Sequence, residues 1–229
     1  MKSIEIIPPN VSEITCLWNQ YMSETAAICT LKHFLKNVED KDTRSVLQYA
    51  LSLSEQHVNW IEEISRKENL SIPVGFTQDD IEIIAPRLFT DSYYLIYLSH
   101  IAGLGTEGYV ILLRYVAPSD FRGYLSKCIS EAVDLYNKMT DIRLSKGLFL
   151  RAPSVEMTKK PLFPEDENIF KGMLIQKPRP MYAREITNNF GGILMDIILK
   201  AITTGLGQVA SSQRVKEYMF RGRDIAKPF

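Results

Sequence analysis

The chain is poor in the residues that most often announce a function. Its three cysteines, Cys16, Cys29 and Cys128, are odd in number, widely spaced and set among apolar neighbours. No Cys-x-x-Cys pair occurs, which excludes a disulfide framework or a zinc ribbon and predicts buried free thiols in a reducing compartment. Neither sign of charge is in excess: Lys+Arg and Asp+Glu both number 27, so there is no global field for nucleic acid. The basic residues Arg214, Lys216, Arg221 and Arg223 read as a solvated helix face. The first ten residues, "MKSIEIIPPN", lack the apolar stretch of a secretory signal. The best membrane candidate, "FGGILMDIILKAITTGLGQVA" from Phe190, is interrupted by Asp196 and Lys200. Its apolar runs fall well short of the roughly 18 residues a span requires. No G-x-S-x-G occurs, and Cys29 with His33 is merely an i,i+4 pair whose histidine lies off the apolar stripe and is expected to be exposed. These absences predict a cytoplasmic protein with no nucleic-acid or membrane partner.

What is present is apolar periodicity. With 45% hydrophobic residues, 229 residues suffice for a sizeable core. A first helix is predicted over Asn10–Asn37, opened by Asn10 and Glu13 at capping-box spacing. Its stripe is Ile14, Leu17, Tyr21, Glu24, Ile28, Leu31 and Leu35. A second runs from about Asp42 to before Pro73, with Val46, Ala50, Leu53, His57, Trp60 and Ile64 on one face. A third runs from about Asp91 to before Pro118, with Tyr93, Ile96, His100, Gly103, Glu107 and Val110. A fourth runs from Ser119, as N-cap, to Gly147, as the residue after the C-cap. Helices one and two, and helices three and four, are joined by short links and should be antiparallel. The long stretch "SIPVGFTQDDIEIIAPRLF" between helices two and three can run the length of a bundle. The fold class is therefore all-α: a ferritin-like up-down-down-up four-helix bundle with one long helix 2–3 crossover, over residues 1–147.

After Gly147 the texture changes. The stretch that follows holds five of the 11 prolines and reads as a linker over residues 148–183. Two further helices, Arg184–Gly207 and Ser211–Lys227, make a half-repeat over residues 184–229. Glu185-Ile186-Thr187 repeats Glu13-Ile14-Thr15 at an offset of 185 − 13 = 172. Asp196 takes the place of Glu24, and Val209 that of Val38, at an offset of 171, as if one residue had dropped out. Two amphipathic helices do not bury both sides of their stripe unaided, so this hairpin should associate with a copy of itself, with another chain or with the first bundle.

Four polar residues on the apolar stripes are candidate metal ligands: Glu24, His57, His100 and Glu107. Buried carboxylates pair or bind metal, and heights of about 1.5 Å per residue place all four near the bundle midplane. Carboxylate and imidazole ligands suit iron, manganese or zinc. The Glu-x-x-His pairs of a di-iron bundle site are absent, so a metal-free polar network is the reading to displace. Glu131 and Asp134 are expected on the polar side of helix four with Lys127 and Lys138. "GLGTEG", Gly103–Gly108, has dinucleotide-loop spacing, but its helical surroundings assign it instead to close helix approach or a loosened turn.

The phrases "EITCLWNQYMSETAAICTLKHFLKNVED", "SIPVGFTQDDIEIIAPRLFTDSYYLIYLSHI" and "LYNKMTDIRLSKGLFLRAP", with the later "EITNNFGG" and "YMFRGRDIAK", resemble a family of uncharacterised proteins from spore-forming Gram-positive bacteria. The resemblance covers nearly the whole chain. It implies tandem ferritin-like bundles joined by a Pro-containing linker, and for some members a provisional spore-coat label through likeness to coat-F-like proteins. It implies no established activity. It also implies a completed second bundle with a histidine matching His57, where this chain reads "DIAKPF"; the expectation is a chain truncated within its second repeat. Two functions follow as expectations: a non-enzymatic structural or interaction protein associated with sporulation or the spore coat, and alternatively a metal-binding ferritin-like protein.

Overall fold

The computed structural model describes residues 8–155 and 181–226. Among these, six α-helices and one short 3-10 turn form, with no strand: α1 Val11–Asn37, α2 Lys41–Lys67, α3 Asp91–Leu113, α4 Ser119–Ser145, α5 Ala183–Val209 and α6 Gln213–Ile225. The chain divides into two compact units, Met1–Phe149 and Leu150–Phe229. Most of the stretch expected as a linker, residues 156–180, lies outside the described residues.

Local chemistry sets the helix ends. Asn10 Oδ1 accepts from the Ser12 and Glu13 amides, while Glu13 Oε2 accepts from the Asn10 amide at 2.9 Å, a complete capping box. Asp40 caps α2 through the Thr43 amide at 2.8 Å. Two helices end in the same reversal. After α4, Gly147 takes φ +67°, with Leu148 N bonded to Arg143 O at 2.7 Å and Gly147 N to Leu144 O at 3.1 Å. After α2, Asn69 takes φ 55°, and Leu70 N reaches Ser65 O at 2.8 Å. Glycine and asparagine are the residues that enter this left-handed region at least cost. Ser119 opens α4 but does not cap it; Pro118 holds that position, without a side-chain bond.

Contacts fix the helix directions in the first unit. Tyr21–Glu62 and Glu24–His57 run α1 against α2. Phe34–Tyr94 and Glu24–Tyr109 run α1 against α3. Lys67–Asp120 and His57–Glu131 run α2 against α4. Glu13–Ala117 and Gln20–Tyr124 share one offset and make α1 parallel to α4. The four helices thus run up, down, down, up. The α2–α3 connection lies along α1: Phe76 N donates to Thr25 Oγ1 at 3.1 Å and Cys29 Sγ to Thr77 O at 3.2 Å. A Cβ on Gly75 would meet the Tyr21 ring at 2.6 Å and Thr25 Oγ1 at 2.8 Å, so this close passage requires glycine.

Each end of the bundle is tied. At one, Glu13 Oε1 takes the Ala117 amide at 2.9 Å, above a core of Cys16, Leu17, Ile61, Phe121 and Leu125. At the other, Asp91 accepts the Asp40 amide at 2.7 Å, and Lys146 binds Asp40 and Asp42 at 2.8 and 3.0 Å. Phe34 stacks there on Tyr94 at 4.3 Å. His33, expected to be exposed, is buried beside Phe34 and Asn37; it stands one residue from Phe34 on a helix wrapped on more than one side.

In the second unit α5 packs against α6. Glu185 Oε2 accepts the Tyr182 amide at 2.8 Å, which repeats the Glu13 bond at the start of α1. Both helices have 27 residues, and the offset is 172 at their starts (183 − 11) and at their ends (209 − 37). No residue drops out between them, contrary to the Val209–Val38 alignment. By length and composition alone, Asp91–Leu113 and Ala183–Val209 are each long and apolar enough to cross a membrane, a test that bundle helices also pass.

Lys146 and the Thr43 bonds pull the Asp40 carboxyl down to about 2. Its folded pKa lies below the ordinary value of 3.8, so its contribution is complete above that value and is lost as pH falls toward about 2. Asp40→Ala should lower stability by about 1 kcal/mol at neutral pH. Urea unfolding should show the gap to the parent protein closing on acidification through that window; a gap independent of pH would contradict the assignment.

Candidate functional site

Midway along the first unit, each helix contributes a polar side chain to one cluster. His57 sits on the buried face of α2. Its Nδ1 meets Glu24 Oε1 of α1 at 2.8 Å, and its Nε2 meets Glu131 Oε2 of α4 at 3.0 Å. Tyr109 of α3 donates its hydroxyl to the same Glu24 Oε1 at 2.8 Å. Lys127, one turn before Glu131, approaches its other oxygen at 3.5 Å. Beside the ring, Gln20 Nε2 donates to Tyr124 OH at 2.8 Å and lies 3.8 Å from Cys128 Sγ. Trp60 stacks flat on Tyr124, centroids 3.5 Å apart, and closes the cluster on that side.

The electrostatics follow from this geometry. Burial alone would strip the His57 proton, but Cys128 and Glu24 beside the ring outweigh it and push its pKa up to about 11. Two carboxylates with a doubly protonated imidazole between them suit that state, since each ring N–H then has an acceptor. Burial, followed by the nearby negative groups, raises the Tyr109 and Tyr124 hydroxyls. Burial, with Cys128 and Glu13 nearby, pushes the Cys16 thiol up to about 12. That thiol is therefore protonated and unsuited to nucleophilic work.

A family model matches the sequence over residues 6–160 and is described as a protein of unknown function, DUF3231. This chain belongs to the DUF3231 family. The match takes in all four helices of the first unit, hence every member of the His57 cluster. A crystal structure from Bacillus halodurans C-125, provisionally named a spore coat protein, shares the fold. Its TM-score is 0.59 at 18% identity, over 66% of this chain and 98% of that one. Comparison with curated proteins finds no match.

Of the residues expected to form a site in this DUF3231 chain, the structure brings Glu24 and His57 together. His100 is half-buried and Glu107 exposed, and neither joins the cluster. The inward face of α3 runs through Leu98, Ala102 and Tyr109 instead. That helix, "DSYYLIYLSHIAGLGTEGYVILL", is apolar nearly all round, so periodicity cannot choose its inward face. Glu131 is not on a polar face: its side chain is 17% exposed and bonded to His57. Lys127 beside it gives the sequence the look of a solvated i,i+4 pair. Cys128, placed on the apolar stripe, is a cluster member as well. Among the described residues, the group of three with metal-ligand atoms within 4.8 Å of one another is His57, Cys128 and Glu131. Imidazole, thiolate and carboxylate are a donor set suited to zinc or iron, and the thiol argues against manganese. "GLGTEG" lies wholly inside α3, which excludes a phosphate-binding loop. Nor does it serve close helix approach: a Cβ on Gly103 or Gly108 would meet nothing within 4 Å.

Proposed function

We propose that this chain is a non-enzymatic structural or interaction protein of the sporulating cell, built on a ferritin-like unit. The observation that carries this reading is the bonding of His57 and Glu24 across the central cluster. Both His57 nitrogens are bonded to carboxylates on two other helices, and Glu24 also takes the Tyr109 hydroxyl. Bonds from one imidazole to carboxylates on two other helices, and from a tyrosine on the fourth helix to one of those carboxylates, tie the four helices together, which is a structural role. The up-down-down-up order and the long α2–α3 connection support the ferritin-like assignment. The name of the Bacillus halodurans neighbour supports the link to sporulation. Immunoblotting through growth and sporulation tests this: the protein should accumulate as spores form and be recovered with them. A constant level in growing cells, with none in spores, would refute it.

A second reading is favoured by one arrangement, the convergence of His57 Nε2, Glu131 and Cys128. A divalent metal there would replace the proton that Nε2 shares with Glu131. Glu24 would then orient the ring through Nδ1, as carboxylates do for ligating histidines. His100 and Glu107 would take no part. Cobalt(II) added to metal-free protein should give a thiolate-to-cobalt absorption band that disappears in Cys128→Ser and in His57→Gln. No band, or one that survives Cys128→Ser, would eliminate this reading.

A further inference from the structure

Helix α3 carries an outward apolar stripe that its own unit leaves uncovered. Ile101, Leu104, Gly108, Ile111 and Tyr115 follow one another at steps of three, four, three and four residues, the spacing by which one helix seats along another. Tyr115 lies in the turn after α3, its amide bonded to Leu112 O at 2.9 Å. The four large side chains are 38, 46, 51 and 52% exposed, in chain order. The residues that α3 turns inward, Leu98, Ala102 and Tyr109, lie on a different face. Ile101, Leu104, Gly108 and Ile111 also form one wall of a half-open groove between α1 and α3. A contiguous exposed apolar stripe marks an interaction surface, and its three-four spacing selects a helix as the occupant.

The stripe is complementary to a copy of itself. Set two such helices antiparallel about a two-fold axis that passes between Tyr109 and Val110. Gly108 then faces Ile111 of the second copy, and Leu104 faces Tyr115 of the second copy, each layer occurring twice. A Cβ on Gly108 would meet no atom within 4 Å, so the glycine leaves a hollow for that isoleucine. The flanking charges agree with this register. Glu107 and Arg114 each stand one residue before a stripe position, where charged side chains reach across to a partner helix. In the same register Glu107 meets Arg114 of the second copy, and Arg114 meets Glu107 of the second copy. Both residues are exposed, and neither is in an ion pair among the described residues. Arg114 lies over the ring of its neighbour Tyr115, 5.7 Å from the centroid. Parallel pairing would instead set Gly108 against Gly108 and Glu107 against the apolar Leu112. Hollow, filler and both charges thus lie on one stripe, and the antiparallel copy satisfies them together.

We propose that the outward stripe of α3 is a self-association surface, through which two copies of the chain pair antiparallel as a two-fold dimer, Glu107 of each bonded to Arg114 of the other. This goes beyond the structural role proposed above and does not depend on it.

Sedimentation equilibrium of the full chain tests it. The parent should be a dimer with a dissociation constant on the order of micromolar. Ile111→Asp should weaken that dimer by about a hundredfold or more. Its helicity by circular dichroism should match the parent, because the side chain is exposed within one chain. Glu107→Arg alone and Arg114→Glu alone should each weaken the dimer by about tenfold, and the two exchanges in one chain should restore it. If Ile111→Asp fails to fold, the charge exchanges decide. A parent that stays monomeric at about 100 µM would overturn the proposal and leave the stripe to a different protein. So would a dimer that Ile111→Asp leaves intact, since the contact would then lie elsewhere on the chain, or a double exchange that binds no better than either single one.

Discussion

A buried imidazole between two carboxylates is the constraint on which the first unit depends. Taking ions out of water costs several kcal/mol each in effective terms, and the cost is recovered here only if all partners stay in place. His57 on α2 must meet Glu24 on α1 and Glu131 on α4 at once, and Glu24 must also meet Tyr109 on α3. An apolar bundle tolerates small rotations and slides of its helices, because hydrophobic attraction is non-directional. Hydrogen bonds near 3 Å do not. The cluster therefore fixes the axial register of all four helices, and the flat Trp60–Tyr124 stack seals it from one side.

The ends of the unit repeat this logic with backbone groups. Glu13 divides its two oxygens between the cap of α1 and the amide of Ala117, which joins the start of one helix to the α3–α4 link. At the opposite end Asp91 accepts the amides of Glu39 and Asp40, both at Oδ2, while its Oδ1 takes Arg87. With the middle and both ends fixed by directional bonds, the segments between them need not be close-packed throughout. The groove lined by Ala27, Ala102, Gly105 and Gly108 lies in such a segment, next to the polar cluster.

The parts of this structure that were legible in the sequence are those set by local chemistry. The Asn10–Glu13 capping box, the left-handed Gly147 and the short link between α1 and α2 follow from residues a few positions apart. So does the repeated Glu-Ile-Thr, since Glu185 bonds the Tyr182 amide as Glu13 bonds that of Asn10. What was not legible depends on rotation about a helix axis. Helix α3 offers apolar residues on every side, so a stripe through His100 and Glu107 competes on equal terms with the one through Leu98, Ala102 and Tyr109. On α4 the i,i+4 spacing of Lys127 and Glu131 looks solvated, although Glu131 leans inward to His57 while Lys127 reaches it from the rim. Of the cluster, the sequence pointed to Glu24 and His57 but not to Tyr109. Glu131 and Cys128 emerge only once α2 and α4 lie side by side.

The central claim is that the His57 charge is paired within the core and that this pairing holds the helices in register. A double-mutant cycle on His57 and Glu24, with leucine at each position and stability read from urea unfolding, tests it most directly. Each single substitution should cost about 3–5 kcal/mol, because it leaves a buried partner uncompensated. The double substitution should cost at least about 2 kcal/mol less than the sum of the two. Additive costs would show that the two side chains do not act as a pair, and would contradict the account.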